Sequence, residues 1–101
     1  MTIASILTPK QRKLPVQAQV AALNRIARRA ESGADWLDEL LATSELHQEP
    51  AVRANTIADR DKKRSRAVQA CDEVIRIVQD NPDAGWTREQ RAYCAAQEVE
   101  R

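Results

Sequence analysis

His47, Cys71 and Cys94 are the side chains best suited to nucleophilic or acid–base chemistry, because imidazoles and thiols titrate closest to neutral pH. A nucleophile–base pair would need His47 beside one cysteine or a serine, with a carboxylate orienting the ring. The spacing supports no such set. His47 stands at the expected C-terminus of a helix, where an imidazolium complements the helix dipole. A metal site of His47 with Glu45 or Glu49 fails because residues two apart on a helix do not share a face. Cys71 and Cys94 have no metal-ligand spacing, and each lies among helix-periodic residues, where a thiol behaves as a small hydrophobe. The acid pairs Asp35/Asp38 and Asp59/Asp61 read as caps and surface ion pairs. Gly33 and Gly85, the only glycines, are too far apart to form a phosphate-cradling loop. The expectation is no enzyme, no cofactor and no bound metal.

Basic residues offer more. Lys62, Lys63, Arg64 and Arg66 crowd the charged run 59–66, and Arg25, Arg28 and Arg29 share one side of an earlier helix. Such residues suit nucleic-acid phosphates, guanine edges or an acidic protein surface. Asp59, Asp61, Asp72 and Glu73 interrupt the basic surface, and no aromatic is interleaved with it for base stacking. The Gly33 turn is a weak echo of a helix-turn-helix. The plainest reading of the run is a solvated helix face.

The elements that must carry these residues are all helical. Thr8-Pro9-Lys10-Gln11 reads as a helix start with a Thr…Gln capping box, and Pro15 ends that helix after a turn and a half. Pro15 reopens a second helix to about Ser32, on a stripe of Val16, Val20, Leu23, Ala27 and Ala30 widened by Ile26. Gly33 is placed to end it as the C′ residue, and Asp35 to cap a third helix over about 36–47. No Gly or Pro occurs from Ala51 to Asp80, so a long helix over about 51–80 follows, roughly 45 Å at ~1.5 Å per residue. Asn81-Pro82 stops it, a turn with Gly85 follows, and Thr87…Gln90 is a second capping box opening a last helix toward Val99. The expected fold is all-α, an irregular bundle of about four to five helices in a single domain over 1–101. Residues 1–7 form a short apolar tail or extended arm.

Hydrophobic residues are 43% of the chain, but 17 residues are alanine and Phe is absent. Alanine buries little area, so the apolar term of roughly 25 cal/mol per Å² is thin and a partner is favoured. The long helix carries a heptad-like seam, Ala54, Ile57, Asp61, Arg64, Val68 and Cys71, continued by Ile75 and Val78. Two copies paired antiparallel about residues 62 and 63 would set Asp61 against Arg64, which is a homodimer hypothesis. Within one chain, Asp61 and Arg64 could instead pair on their own helix. Trp36 and Trp86 stand at helix entries, where an indole usually lids the core; the alternative is that one stays exposed as a binding anchor.

A net charge of +1 gives no global field toward nucleic acid or membrane. The longest apolar run is too short to span a bilayer, and Met1 to Thr8 is not a secretory signal, because its cations follow the apolar stretch. A soluble, cytoplasmic protein is expected. Arg outnumbers Lys twelve to four, as a GC-rich coding sequence would produce, which suits a bacterial accessory gene or a phage product masking a host protein or nucleoprotein complex. The favoured function is stoichiometric protein binding, as a regulator, adaptor or inhibitor. Lys62, Lys63, Arg64 and Arg66 would meet an acidic partner, with Arg25 and Arg29 second. The alternative is a nucleic-acid binder using the same patch.

Overall fold

The computed structural model describes residues 5–99, and their side chains as far as Cys94. It contains three α-helices: α1 (Val16–Thr43), α2 (Pro50–Asp80) and α3 (Arg88–Val99). Single 3-10 turns, Gln11–Lys13 and Leu46–Gln48, precede α1 and α2, and no strand occurs among the described residues. The all-α class holds, but with three helices in place of the four to five expected.

Most local signals act as expected. In the first capping box the Thr8 N–H donates to Gln11 Oε1 (2.9 Å) and the Gln11 N–H to Thr8 Oγ1 (3.2 Å). The second repeats it at α3, with Thr87 N–H to Gln90 Oε1 at 2.8 Å and Gln90 N–H to Thr87 Oγ1 at 3.1 Å. Pro50 opens α2 at a first-turn position, where its missing N–H costs nothing. Gly85 takes φ +77° in the turn before α3, a conformation that only glycine adopts without strain. The first short helix is reduced to the 3-10 turn, and residues 1–4 of the expected arm lie outside the described residues.

One boundary is wrong. Gly33 does not end a helix and Asp35 does not cap one: α1 runs straight through both. The apolar stripe never changes phase there, since Val20, Leu23, Ala27 and Ala30 continue as Ala34, Leu37 and Leu41, all buried at spacings of three and four. Gly33 serves close approach instead. A Cβ built on it would stand 3.1 Å from Lys63 Cδ, so the bare backbone makes room for the lysine stem of α2. Glycine inside a helix costs roughly 1 kcal/mol against alanine, and the long unbroken stripe outweighs it. α1 ends one turn past Leu40: the Ser44 N–H still bonds Leu40 O, and Gln48 Nε2 covers Leu41 O at 2.7 Å.

Helices α1 and α2 form an antiparallel hairpin, and the molecule is elongated, 52 × 29 × 24 Å, because α3 covers only its open end. There the core is apolar: Val20, Leu23, Ala27, Ala70, Val74, Ile75, Val78, Trp86 and Cys94 pack together with Leu7 of the arm. Trp86 lids this cluster and donates from its indole N–H to Asn81 O at 2.6 Å. The arm is held by Glu73, a buried carboxylate that accepts from Ser5 Oγ and from the Ile6 N–H at 3.3 Å. Toward the hairpin turn, burial falls to Ala30, Ala34, Leu37, Leu41, Ala67 and Thr56 between two helices only.

A charged waist divided between two faces

Over residues 54–71 the expected seam on α2 is not the face that meets α1, although its continuation, Ile75 and Val78, is buried in the open-end core. The inner stripe is Thr56, Arg60, Lys63, Ala67, Ala70 and Val74, all buried or half-buried. The seam lies one residue later at each step, a rotation of about 100°. Hence Ala54, Asp61 and Val68 are exposed, while Ile57, Arg64 and Cys71 sit half-buried at the interface edge.

The consequence for the charged run is direct. Its inward positions, Arg60 and Lys63, fall between the helices, and Arg64 joins them from the edge. Arg60 Nη1 donates to Asp38 Oδ1 at 2.9 Å, Arg64 pairs with Asp38 Oδ2, and Arg64 Nη2 also reaches Asp35 Oδ1 at 3.3 Å. Arg60 further contacts Asp61 at 3.1 Å, and Lys63 Nζ stands 3.7 Å from Asp59. The hydrogen bond from Arg60 holds the Asp38 carboxyl below its ordinary range; desolvation opposes it, and the Arg64 bond and the charges of both guanidiniums tip the balance downward. Both guanidiniums are pushed up, chiefly by their bonds to Asp38. The two polar interruptions of the seam, Asp61 and Arg64, are therefore both engaged within the chain.

What remains outward is a different set. Lys62 and Arg66 on α2, and Arg25 and Arg29 on α1, are exposed and make no ion pair among the described residues. The hairpin brings Arg29, Lys63 and Arg66 together around one shallow cavity of about 300 Å³, with Ile26 and Ala30 as its apolar wall. Arg28 goes elsewhere: it lines a cavity on the opposite edge of α1 with Asn24, Glu31 and Asp35.

Trp36 takes the alternative that the sequence left open for one of the two indoles. It is 60% exposed, whereas Trp86 is 5% exposed, so one indole lids the core and the other does not. The signal lay in the continuous stripe: Trp36 is two residues beyond Ala34, turned about 200° away from the buried face. The same outward strip carries Arg25 and Arg29, eleven and seven residues earlier.

Groups with chemical potential are dispersed. His47 lies in the turn between α1 and α2, its Nδ1 2.8 Å from Ser44 Oγ. Cys71 is about six helical turns along α2 from that end, and Cys94 is in the core at the open end, so neither thiol pairs with the imidazole. Tyr93 Oη donates to Cys71 Sγ at 3.8 Å, a bond that with partial burial raises the phenol above its usual range. No group of three metal-ligating side chains converges among the described residues, and no helix there is long and apolar enough to cross a membrane. Compared with protein-family models, curated proteins and solved structures, the chain matches none.

Proposed function

We infer that the protein acts stoichiometrically, as a regulator, adaptor or inhibitor, by presenting the outward face of α1 to an acidic surface on a protein partner. The observation that carries this reading is the 60% exposure of Trp36 on the strip that also holds Arg25 and Arg29. Trp and Arg are the residue types that most often dominate binding energy at interfaces, and an indole on a rigid helix loses little entropy when it docks. Arg29 continues that strip into the groove with Lys63 and Arg66, giving an aromatic anchor with a cationic flank. Arg64, favoured from sequence, contributes less, because its charge is spent on Asp35 and Asp38.

The deciding experiment is a pull-down from nuclease-treated lysate with the wild-type chain and with Trp36→Ala. A protein retained by the first and lost by the second is expected, since removing an interface anchor costs about 2 kcal/mol or more. Equal capture by both overturns the assignment of the face.

A second reading has one observation in its favour. Trp36 supplies an exposed aromatic for base stacking, which the basic run 59–66 does not itself contain. A fluorescent oligonucleotide titrated at low and at physiological salt tests it: phosphate contacts give a steep salt slope.

A further inference from the structure

We propose that the groove lined by Ile26, Arg29, Ala30, Lys63 and Arg66 seats a phosphomonoester dianion, carried by a phosphorylated serine or threonine of the protein partner. The choice of a protein as carrier rests on the function inferred above; the choice of a dianion rests on the groove itself.

Three cations from two helices meet at one concavity. Arg29 and Arg66 are exposed without an ion pair among the described residues, and Lys63 has only Asp59 at 3.7 Å to offset it. The surplus is two positive charges. A phosphorylated side chain brings about −1.5 to −2 at neutral pH with three strong acceptor oxygens, which matches it. A carboxylate or a phosphodiester brings one negative charge and would leave a guanidinium unneutralised beside an apolar wall.

The site is also preorganised. The Lys63 stem lies on the bare backbone of Gly33, which holds it against α1. Ile26 and Ala30 exclude water from one side, so charge interactions there exceed those of fully solvated groups. Acids that would repel an anion are engaged elsewhere: Asp35 and Asp38 are bound by Arg60 and Arg64, and Asp35 and Glu31 line the cavity on the opposite edge of α1. A nucleic-acid backbone, by contrast, presents a row of single charges, and one concavity is built for a single dense one.

Backbone amide NMR of the full chain, titrated at constant ionic strength with inorganic phosphate, O-phosphoserine and acetate, tests the seat. Saturable shifts at Ile26, Arg29, Ala30, Lys63 and Arg66 are expected with both phosphates and not with acetate. Affinity should fall several-fold from pH 7.5 to 5.5, as phosphate loses its second charge near pH ~6. The double variant Arg29→Gln/Arg66→Gln, altered only at exposed positions, should weaken binding at least about tenfold, and Lys10→Gln should not. Shifts that stay linear, an equal response to acetate, or binding retained by the double variant would overturn the seat. An unphosphorylated oligonucleotide that occupies the same residues more tightly than O-phosphoserine overturns the monoester. The two inferences fail separately. Saturable phosphate binding with no captured protein removes the protein partner alone; a captured partner indifferent to phosphatase, with no phosphate binding, removes the seat alone.

Discussion

The two ends of the helical hairpin are built from different chemistry. At the open end α1, α2, α3 and the N-terminal arm close around Val20, Leu23, Val74, Val78, Trp86 and Leu7. At the turn end only two helices face each other across alanines, Leu37 and Leu41, and the gap at the waist is spanned by Arg60 and Arg64 on Asp35 and Asp38. A chain with 17 alanines and no Phe has enough apolar volume to build one good core, not two. The second half is held in register by charges that water can reach, and such pairs contribute little stability. Its outer surface is left uncovered, and there the exposed Trp36 sits, with Arg29 and Arg66 at the waist groove and without an ion pair among the described residues.

That contrast makes unequal predictions for the two ends. The largest effect belongs to Leu23→Ala: Leu23 has no exposed surface, and truncation should cost about 2–5 kcal/mol in denaturant unfolding. The equivalent change at Leu37, between two helices only, should cost less; equal losses would erase the distinction between the ends.

Gly33→Ala sharpens the account of the waist. In a Lys63→Ala background, where nothing crowds the new methyl, it should stabilise by up to about 1 kcal/mol through helix propensity. In the wild-type background the gain should shrink or reverse, because Lys63 Cδ stands only 3.1 Å from the new Cβ. Additive behaviour in that double-mutant cycle would show that Gly33 is not kept for the lysine.

Acid should loosen the turn end first. The folded-state pKa of Asp38 is depressed, so its contribution is fully present above the unfolded value of about 3.9 and is lost as pH falls through the folded value. Hydrogen-exchange protection factors, corrected for the intrinsic pH dependence of exchange, should therefore fall between pH 5 and pH 3 at amides around the Asp38–Arg60 contact before those around Leu23 and Val74. Asp38→Asn should remove that pH dependence. The smallest and cheapest measurement is iodide quenching: Trp86→Phe, which leaves Trp36, should quench strongly, and Trp36→Phe weakly. Light scattering should return a monomer, because self-pairing on Ala54, Ile57, Asp61, Arg64, Val68 and Cys71 would have to pull Arg64 away from Asp35 and Asp38.

Much of the fold was legible in the residues. The span of α2, both Thr…Gln boxes, the Gly85 turn and the Asn81-Pro82 stop all follow from groups within four residues of each other. Of the candidate site, Arg29, Lys63 and Arg66 stand out in the sequence as basic residues, but that they line one cavity is visible only once α1 and α2 are packed. Gly33 looked like a terminator because glycine usually is one at the end of a periodic stretch. The stripe running on through Ala34, Leu37 and Leu41 carried the contrary signal in the same residues. The charged run looked uniformly solvated because its inward positions, Arg60 and Lys63, are as polar as its outward ones.

Local chemistry by itself determined that this chain is helical, where its longest helix begins and ends, and which turns join the pieces, since short-range hydrogen bonds and backbone preferences decide those matters. Only the packing of α1 against α2 decided that Gly33 is passed through, that Arg60 and Arg64 turn inward to Asp38, and that Trp36 is left outside. Each of those outcomes depends on which residue stands opposite, some twenty to thirty positions away in the chain, and a one-residue rotation of either helix would have reversed it.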